Sequence, residues 1–236
     1  PRFNIWEAAY RLNQVADYWP KGTVFVNVVD PGVGTTRKSV VLKTKSGHFF
    51  VSPDNGSLSL VSESLGIDEV REINEKTNRL EGSERSHTFH GRDVYAYTGA
   101  RLASEVIAFE QVGDLLTPSV MQLDYAKPEL INKRIIGSVP ILDAHYGNVW
   151  TNINVDLFDR LAINIGDEVW VKITNNAHEL FFQKVKFVSS FGGVEIGEPA
   201  IYINDILNIG IAINQGDMAK EYKIKPGPNV TFLIWK

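Results

Sequence analysis

The chain contains no cysteine, which removes disulfide bridges, thiolate nucleophiles and thiolate metal ligands from consideration. It has no apolar run of about 18 residues, the length that marks a membrane-spanning helix. Lys and Arg form no cluster, and the formal net charge is -4. A nucleic-acid surface concentrates positive charge, so that class of partner is disfavoured. Three common signatures are missing as well: the glycine-rich dinucleotide turn, the Walker loop and the GxSxG nucleophile elbow. There is no internal repeat and no low-complexity segment. What remains is a globular composition, with 44% hydrophobic and 22% charged residues in a chain of 236, enough for one substantial core or two smaller ones. A chain without cysteine fits a reducing compartment, and a cytoplasmic location is the expectation.

Hydrophobic spacing divides the chain. Ile5, Ala8, Ala9, Leu12, Val15, Ala16 and Trp19 recur at intervals of three and four, which predicts a helix from Asn4 to Trp19. Asn4 is placed to cap it, with Glu7 three residues on. Thr23 to Val29 is a nearly continuous apolar run, which predicts a strand buried on both faces. It stops at Asp30-Pro31-Gly32, a turn signal. Ser39 to Lys43 and His48 to Ser52 read as a strand pair, Pro53 to Leu65 as a turn opening a helix, and Asp93 to Phe109 as another helix. A proline-punctuated stretch from Thr117 to Pro128 separates this region from a second one of short β-type runs: 169–173, 180–188, 200–203 and 230–234. The expectation is an α/β domain over residues 1–127 and an all-β domain over 128–236.

Three segments concentrate chemistry-bearing residues. In Asp30 to Arg37 (DPGVGTTR), Asp30 ends a strand where open α/β sheets place ligands, and Arg37 can return to pair with it. Read alone, an ordinary turn is the better account, because turns favour Asp, Pro and Gly. In Ser86 to Asp93 (SHTFHGRD), two histidines suit proton transfer at neutral pH. They could also suggest a metal, but no third ligand has convincing spacing. The plain alternative is that Asp93 and Arg92 only pair at the start of a helix. Asp143 to Asn152 (DAHYGNVWTN) joins aromatic faces to amides and a carboxylate, a set suited to a planar heterocycle. Read in isolation, a strand pair with an Asn-containing turn and a core Trp is the better account.

Together, VVDPGVGTTR (28–37), TFHGRDVYA (88–96) and DAHYGNVWTNI (143–153) resemble the SAM hydroxide adenosyltransferases, the SAM hydrolases related to the fluorinases and chlorinases. VSPDNG (51–56) and IAINQG (211–216) resemble family segments too. The resemblance implies a three-layer α/β/α N-terminal domain followed by a C-terminal all-β barrel. It also implies a homotrimer holding SAM between subunits, with SAM as the substrate and no cofactor. The hydrolases' Asp-Arg-His set falls on Asp30, Arg37 and His90. Halogenases are similar but carry Tyr where this chain has Asp30 and Ser where it has Gly91, which points to water as the nucleophile. Carried over in the same way, Phe3, Tyr146 and Trp150 shape the aromatic pocket and Phe191 adds to its wall. Asp143 holds the methionine amine, Asn148 the adenine edge, and the backbone near Ile213 and Gln215 faces the adenine. Family members begin with a further strand and a ribose-gripping Asp, so Pro1 is expected to mark an incomplete chain.

One departure stands out. Relatives often carry NSxG where this chain reads Asn204-Asp205-Ile206-Leu207. Asp205 replaces a Ser that contacts the methionine carboxylate, and two negative charges at that place repel.

Overall fold

A computed structural model describes residues 2–236, with Pro228 described by its backbone alone. The chain forms two compact units, Pro1–Asp124 and Tyr125–Lys236. Among the described residues no helix is long and apolar enough to cross a membrane.

The first unit is a five-stranded sheet in the order β1 (Val24–Val26), β3 (Phe49–Pro53), β2 (Ser39–Thr44), β4 (Ile67–Glu72), β5 (Leu115–Leu116). The β1–β3 pair is parallel, and the β3–β2, β2–β4 and β4–β5 pairs are antiparallel. Alternation along the strands sends side chains to opposite faces. Val40, Leu42, Phe50 and Val70 pack with Leu12 and Ala16 of α1 (Ile5–Ala16) and with Val61 of α2 (Ser59–Leu65). On the other face, Val41 and Val51 pack with Val94, Tyr95 and Leu102. Leu102 belongs to α3 (Tyr97–Ala103). This helix is entered through a wide π-type turn, Gly91–Ala96.

Asn4 caps α1 as the spacing predicts: its Oδ1 accepts from the Glu7 N–H at 3.0 Å, a bond worth about 1 kcal/mol. The helix stops at Ala16, and Tyr18 and Trp19 are exposed. The expected strand over 23–29 shrinks to three residues, and it is not buried on both faces. It lies at the sheet edge, and Val26 is 43% exposed. Gly99 lets α3 lie against it, since a Cβ there would sit 2.6 Å from Val26.

The second unit is a nine-stranded sheet. Its order is β6 (Glu129–Ile131), β7 (Arg134–Val139), β14 (Gly227–Trp235), β10 (Glu168–Asn175), β11 (His178–Phe187), β12 (Pro199–Ile203), β13 (Asn208–Ile213), β9 (Asn148–Asn154), β8 (Ile141–Asp143). Two short helices, α4 (Val155–Asp159) and α5 (Met218–Glu221), accompany it. Its core includes Ile135, Ile153, Phe158, Val171, Ile173, Ile201, Ile211 and Phe232.

The expected β-barrel does not form among the described residues. Among the described residues the sheet runs open from β6 to β8: β6 pairs only with β7, β8 only with β9, and no ladder joins the ends. Closure needs a hydrogen-bonded seam. Both end strands are three residues long. Where the sheet curls so that β7 meets β9, a side chain stands in for a ladder. Asn152 Oδ1 accepts from the Ser138 N–H at 2.8 Å. Gly137 leaves the room that Ile153 occupies, since a Cβ would fall 2.5 Å from it.

Candidate active site

In the first unit, β1 hands the chain to a loop whose course is fixed by the backbone. The Asn27 N–H donates to Val51 O at 3.0 Å, extending the parallel ladder by one bond. Asn55 Nδ2 donates to Val29 O at 2.9 Å. The DPGVG segment then turns tightly, with Thr35 donating to Gly32 O through both its N–H and its hydroxyl. Gly34 adopts φ +78°, and a Cβ there would lie 3.2 Å from the His87 carbonyl oxygen. Glycine therefore serves twice, for its left-handed backbone and for the close approach of the second loop.

That geometry returns Arg37 to Asp30 in a two-pronged pair, Nε to Oδ1 at 2.9 Å and Nη2 to Oδ2 at 2.5 Å. The two side chains are 9% and 6% exposed respectively. Arg37 Nη1 also donates to Ser39 Oγ at 3.0 Å, and Ser39 Oγ is 3.1 Å from the Tyr95 hydroxyl. Burial disfavours the Arg37 charge, but the hydrogen bond and charge of Asp30 outweigh it and raise its pKa. Burial pushes the Tyr95 hydroxyl up to about 12, so it stays neutral and polar.

His90 is buried at the entry to the π-type turn. Its Nδ1 is 3.3 Å from Arg37 Nη2, and its Nε2 is 3.0 Å from Arg79 Nη2. Glu75 sits behind both, 3.2 Å from Arg79 Nη2. Burial lowers the pKa of His90; Glu75 opposes the shift, while Arg79 and Arg37 reinforce it. Gly91 packs against Val28. Asp93 is fully buried and takes Arg92 Nε at 2.6 Å, the pairing that the plain alternative anticipated.

The structure thus brings Asp30, Arg37 and His90 together. Phe3 belongs to the same unit, with φ +61° and 78% of its surface exposed. Sequence reasoning passed over Glu75, Arg79, Ser39 and Tyr95. A Glu–Arg pair four residues apart was the available signal for the first two. Tyr95 lies within TFHGRDVYA (88–96).

In the second unit, a cleft of about 1000 Å³ gathers Asp143, Tyr146, Asn148, Trp150, Phe191, Asp205, Ile213 and Gln215. Gly147, at φ +69°, turns β8 into β9, and its N–H donates to Asp143 O at 2.8 Å. Asn148 Nδ2 lies 3.4 Å from Asp143 Oδ2. The Trp150 indole N–H donates to the Tyr202 hydroxyl at 2.8 Å, and Phe191 meets the Tyr202 ring edge-on at 5.0 Å. Gly210 makes the aromatic wall possible, because a Cβ would press within 3.0 Å of Tyr202 and 3.2 Å of Trp150. Tyr202 and Asp217, also in the lining, were not among the residues singled out from sequence. Asn204 Oδ1 closes a tight turn by accepting the N–H groups of Ile206 and Asn208. That turn exposes Asp205 and puts Leu207 at φ +59°. Apolar walls with amides and carboxylates at the rim suit a planar, cationic small molecule.

Comparison with known proteins agrees with this chemistry. Residues 1–113 match the SAM hydroxide adenosyltransferase N-terminal domain, and residues 137–231 match the C-terminal domain of the same family. An (R)-S-adenosyl-L-methionine hydrolase of Methanocaldococcus jannaschii is 37% identical over 189 residues, 80% of this chain and 63% of that protein. The match therefore spans less than two thirds of that relative's length. An (R)-S-adenosyl-L-methionine hydrolase of Salinispora tropica is 31% identical over 231 residues, 96% of this chain and 80% of its own. The crystal structure of a conserved protein from Thermotoga maritima is similar with a TM-score of 0.89 and 37% identity, covering 99% of this chain and 85% of that one. With both of its units matched in order, and with the Salinispora relative covered over most of its length, the chain belongs to the SAM hydroxide adenosyltransferase family.

Proposed function

We propose that this chain hydrolyses S-adenosyl-L-methionine to adenosine and L-methionine, with Asp30, Arg37 and His90 as the reactive group. The observation that carries the reading is the buried pairing of Asp30 with Arg37 beside His90. It is the hydrolases' residue set in a place with little water to dilute its charges. Water attacks C5′ of the ribose in line with the departing sulfur. The sulfonium leaves as a neutral thioether, so the leaving group needs no acid. The protein's task is to hold and activate the nucleophile. Near-attack positioning lowers such barriers by as much as about 7–11 kcal/mol in well-oriented systems. Arg37 stabilises developing hydroxide charge and orients Asp30. One of Asp30 and His90 accepts the proton.

In this reading SAM lies between subunits, and the cleft of a neighbouring copy's second unit takes the rest of the substrate. Trp150, Tyr146 and Phe191 flank the flat parts and Asn148 reads the adenine edge. The backbone at Ile213 and Gln215 completes the adenine side, and Asp143 receives the methionine ammonium. Phe3 and Gly91 contribute from the first unit. Asp205 gives the methionine end more negative charge than a Ser would. A homotrimer with SAM between subunits goes with the same reading, and sedimentation equilibrium measures it.

The test is incubation with SAM and chloride in ¹⁸O-labelled water. Adenosine carrying one ¹⁸O at its 5′ hydroxyl supports hydrolysis. 5′-Chloro-5′-deoxyadenosine would make the chain a halogenase. Calorimetric binding of SAM with no product would make it a binding protein.

A further inference from the structure

The surroundings of His90 pose a bonding problem. Guanidinium groups only donate hydrogen bonds, and a neutral imidazole has a single acceptor nitrogen. Yet Arg79 Nη2 lies 3.0 Å from Nε2 and Arg37 Nη2 lies 3.3 Å from Nδ1. Both contacts cannot be accepted at once. The shorter one marks the acceptor, which puts the lone pair on Nε2 and the proton on Nδ1. Arg37 loses little by this, because its Nη2 already donates to Asp30 at 2.5 Å. On the Nδ1 side, Glu75 Oε1 is 4.0 Å away, a carboxylate facing the ring proton. Either tautomer turns a ring proton toward a guanidinium, but an Nε2–H would meet the nearer one, at 3.0 Å against 3.3 Å, with no carboxylate recorded beside it among the described residues.

Arg79 is built in for this position. Its side chain is 8% exposed, its Nη2 is 3.2 Å from Glu75 Oε2, and its Nη1 reaches the Ser86 carbonyl at 3.4 Å. The segment carrying Glu75 and Arg79 is anchored by Asn78, itself 1% exposed. Asn78 Nδ2 donates to Val112 O at 2.8 Å, its Oδ1 accepts from Arg101 at 2.8 Å, and its carbonyl accepts from the Thr98 hydroxyl at 3.1 Å. Glu75 is tied in from the other side by Ser39, at 3.5 Å.

We propose that Arg79, braced by Glu75, is a positioning residue for the hydrolysis: it occupies the Nε2 lone pair of His90, fixes the Nδ1–H tautomer and leaves Asp30 to take the proton of the attacking water. This deepens the hydrolase reading and rests on it for the chemical step. In that step the water oxygen forms the bond to C5′ as the C5′–S bond breaks. The pair from that bond stays on sulfur, giving the neutral thioether of methionine. One water proton passes to an Asp30 oxygen, which keeps a free lone pair beside its bond to Arg37, and then returns to solvent. His90 stays neutral throughout. The charged groups that face it are Arg37, Arg79, Glu75, Asp30 and, from its own helix, Asp93.

The experiment is ¹⁵N NMR of the full chain with labelled histidine, with the His90 signals identified by their loss in His90→Gln. Wild type is expected to show Nε2 unprotonated and Nδ1 protonated at neutral pH. Arg79→Met removes a repelling cation and is expected to raise the titration midpoint of His90. Glu75→Gln removes an attracting anion and is expected to lower it. A merely structural role would move both variants the same way. Arg79→Met is expected to cut kcat by about tenfold or more, at the low end of acid–base contributions, with KM for SAM nearly constant. Arg79→Lys keeps the charge and recovers part of the rate. An Nε2–H tautomer in wild type, or shifts of one sign in both variants, would overturn the proposal. The NMR outcome is independent of turnover, so a chain that forms no adenosine sinks the hydrolase reading without deciding what holds His90.

Discussion

Replacing Asp30 by Asn separates the structural weight of the Asp30–Arg37 pair from its chemical weight. The two side chains are 6% and 9% exposed, and two bonds at 2.5 and 2.9 Å join them. An Asn offers one oxygen; whichever guanidinium N–H it satisfies, its amide hydrogens confront the other. Removing one partner of a buried pair costs about 3–5 kcal/mol. Ser39 still accepts from Arg37 Nη1 at 3.0 Å, which sets the expectation near the lower end, about 3 kcal/mol. Arg37→Met strands the carboxylate instead, at a similar cost. The double variant strands neither charge, so its loss is expected to fall about 2 kcal/mol short of the sum. Native-state hydrogen exchange at Val40, Val41 and Leu42 reads this out. Those side chains are fully buried on the central strand of the first unit, where exchange reports opening of the whole unit. A melting curve of the entire chain would mix two units. In parallel, Asp30→Asn is expected to lower kcat about 10²–10⁴-fold, the usual weight of a positioned base, with SAM affinity nearly unchanged. Additive stability losses, or single losses below about 1 kcal/mol, the level of surface pairs, would refute the reasoning.

Burial holds the pKa of His90 below its ordinary value, with Arg79 and Arg37 adding to the shift against Glu75. The unfolded chain therefore binds the His90 proton first, near pH 6.5. Stability present above that pH is expected to be lost as the pH falls toward the lower folded value, and denaturant titrations should show His90→Gln lacking this part of the loss. Gly147→Ala places a Cβ 1.9 Å from Asp217 Oδ1, which caps α5 through the Lys220 N–H at 2.8 Å. Losing the cap and adding left-handed strain together are expected to cost about 2–3 kcal/mol and to weaken adenosine binding measured by calorimetry. Leu207 holds φ +59° with 61% of its surface exposed. Leu207→Gly is expected to stabilise the second unit by about 0.5–1 kcal/mol, strain relief less the added chain entropy, read by denaturation.

Elements whose pattern is local were legible in the sequence. The α1 spacing and its Asn4 cap, the β2–β3 hairpin around Gly47 and the long β10 and β11 strands needed only neighbours in sequence. The ends of elements were less so. The helix expected over 93–109 covers only Tyr97–Ala103 after the π-type turn, because hydrophobic spacing does not distinguish a wide turn from a regular one. The continuous apolar run of β1 predicts burial on both faces, and nothing local tells that the strand lies at an edge. The barrel failed for a global reason, since seam closure depends on which strands meet and not on any strand's pattern. At the candidate site, Asp30, Arg37 and His90 converge although 53 residues separate Arg37 from His90. Glu75 and Arg79 are hard to see in sequence because a Glu–Arg spacing of four is ordinary on any exposed surface, and only the fold buries Arg79.

The π-type turn at Gly91–Ala96 bears on how this centre tolerates insertions and deletions. A wide turn holds one residue more than a regular helical turn would. Deleting a residue there would leave every reactive side chain in the sequence and restore a smoother helix. It would also rotate the preceding segment by about 100° about the helix axis, carrying His90 away from both Arg37 and Arg79. The spare residue acts as a spacer that sets the angular register of the centre, so His90 reaches its partners through the length of this stretch as well as through its own identity.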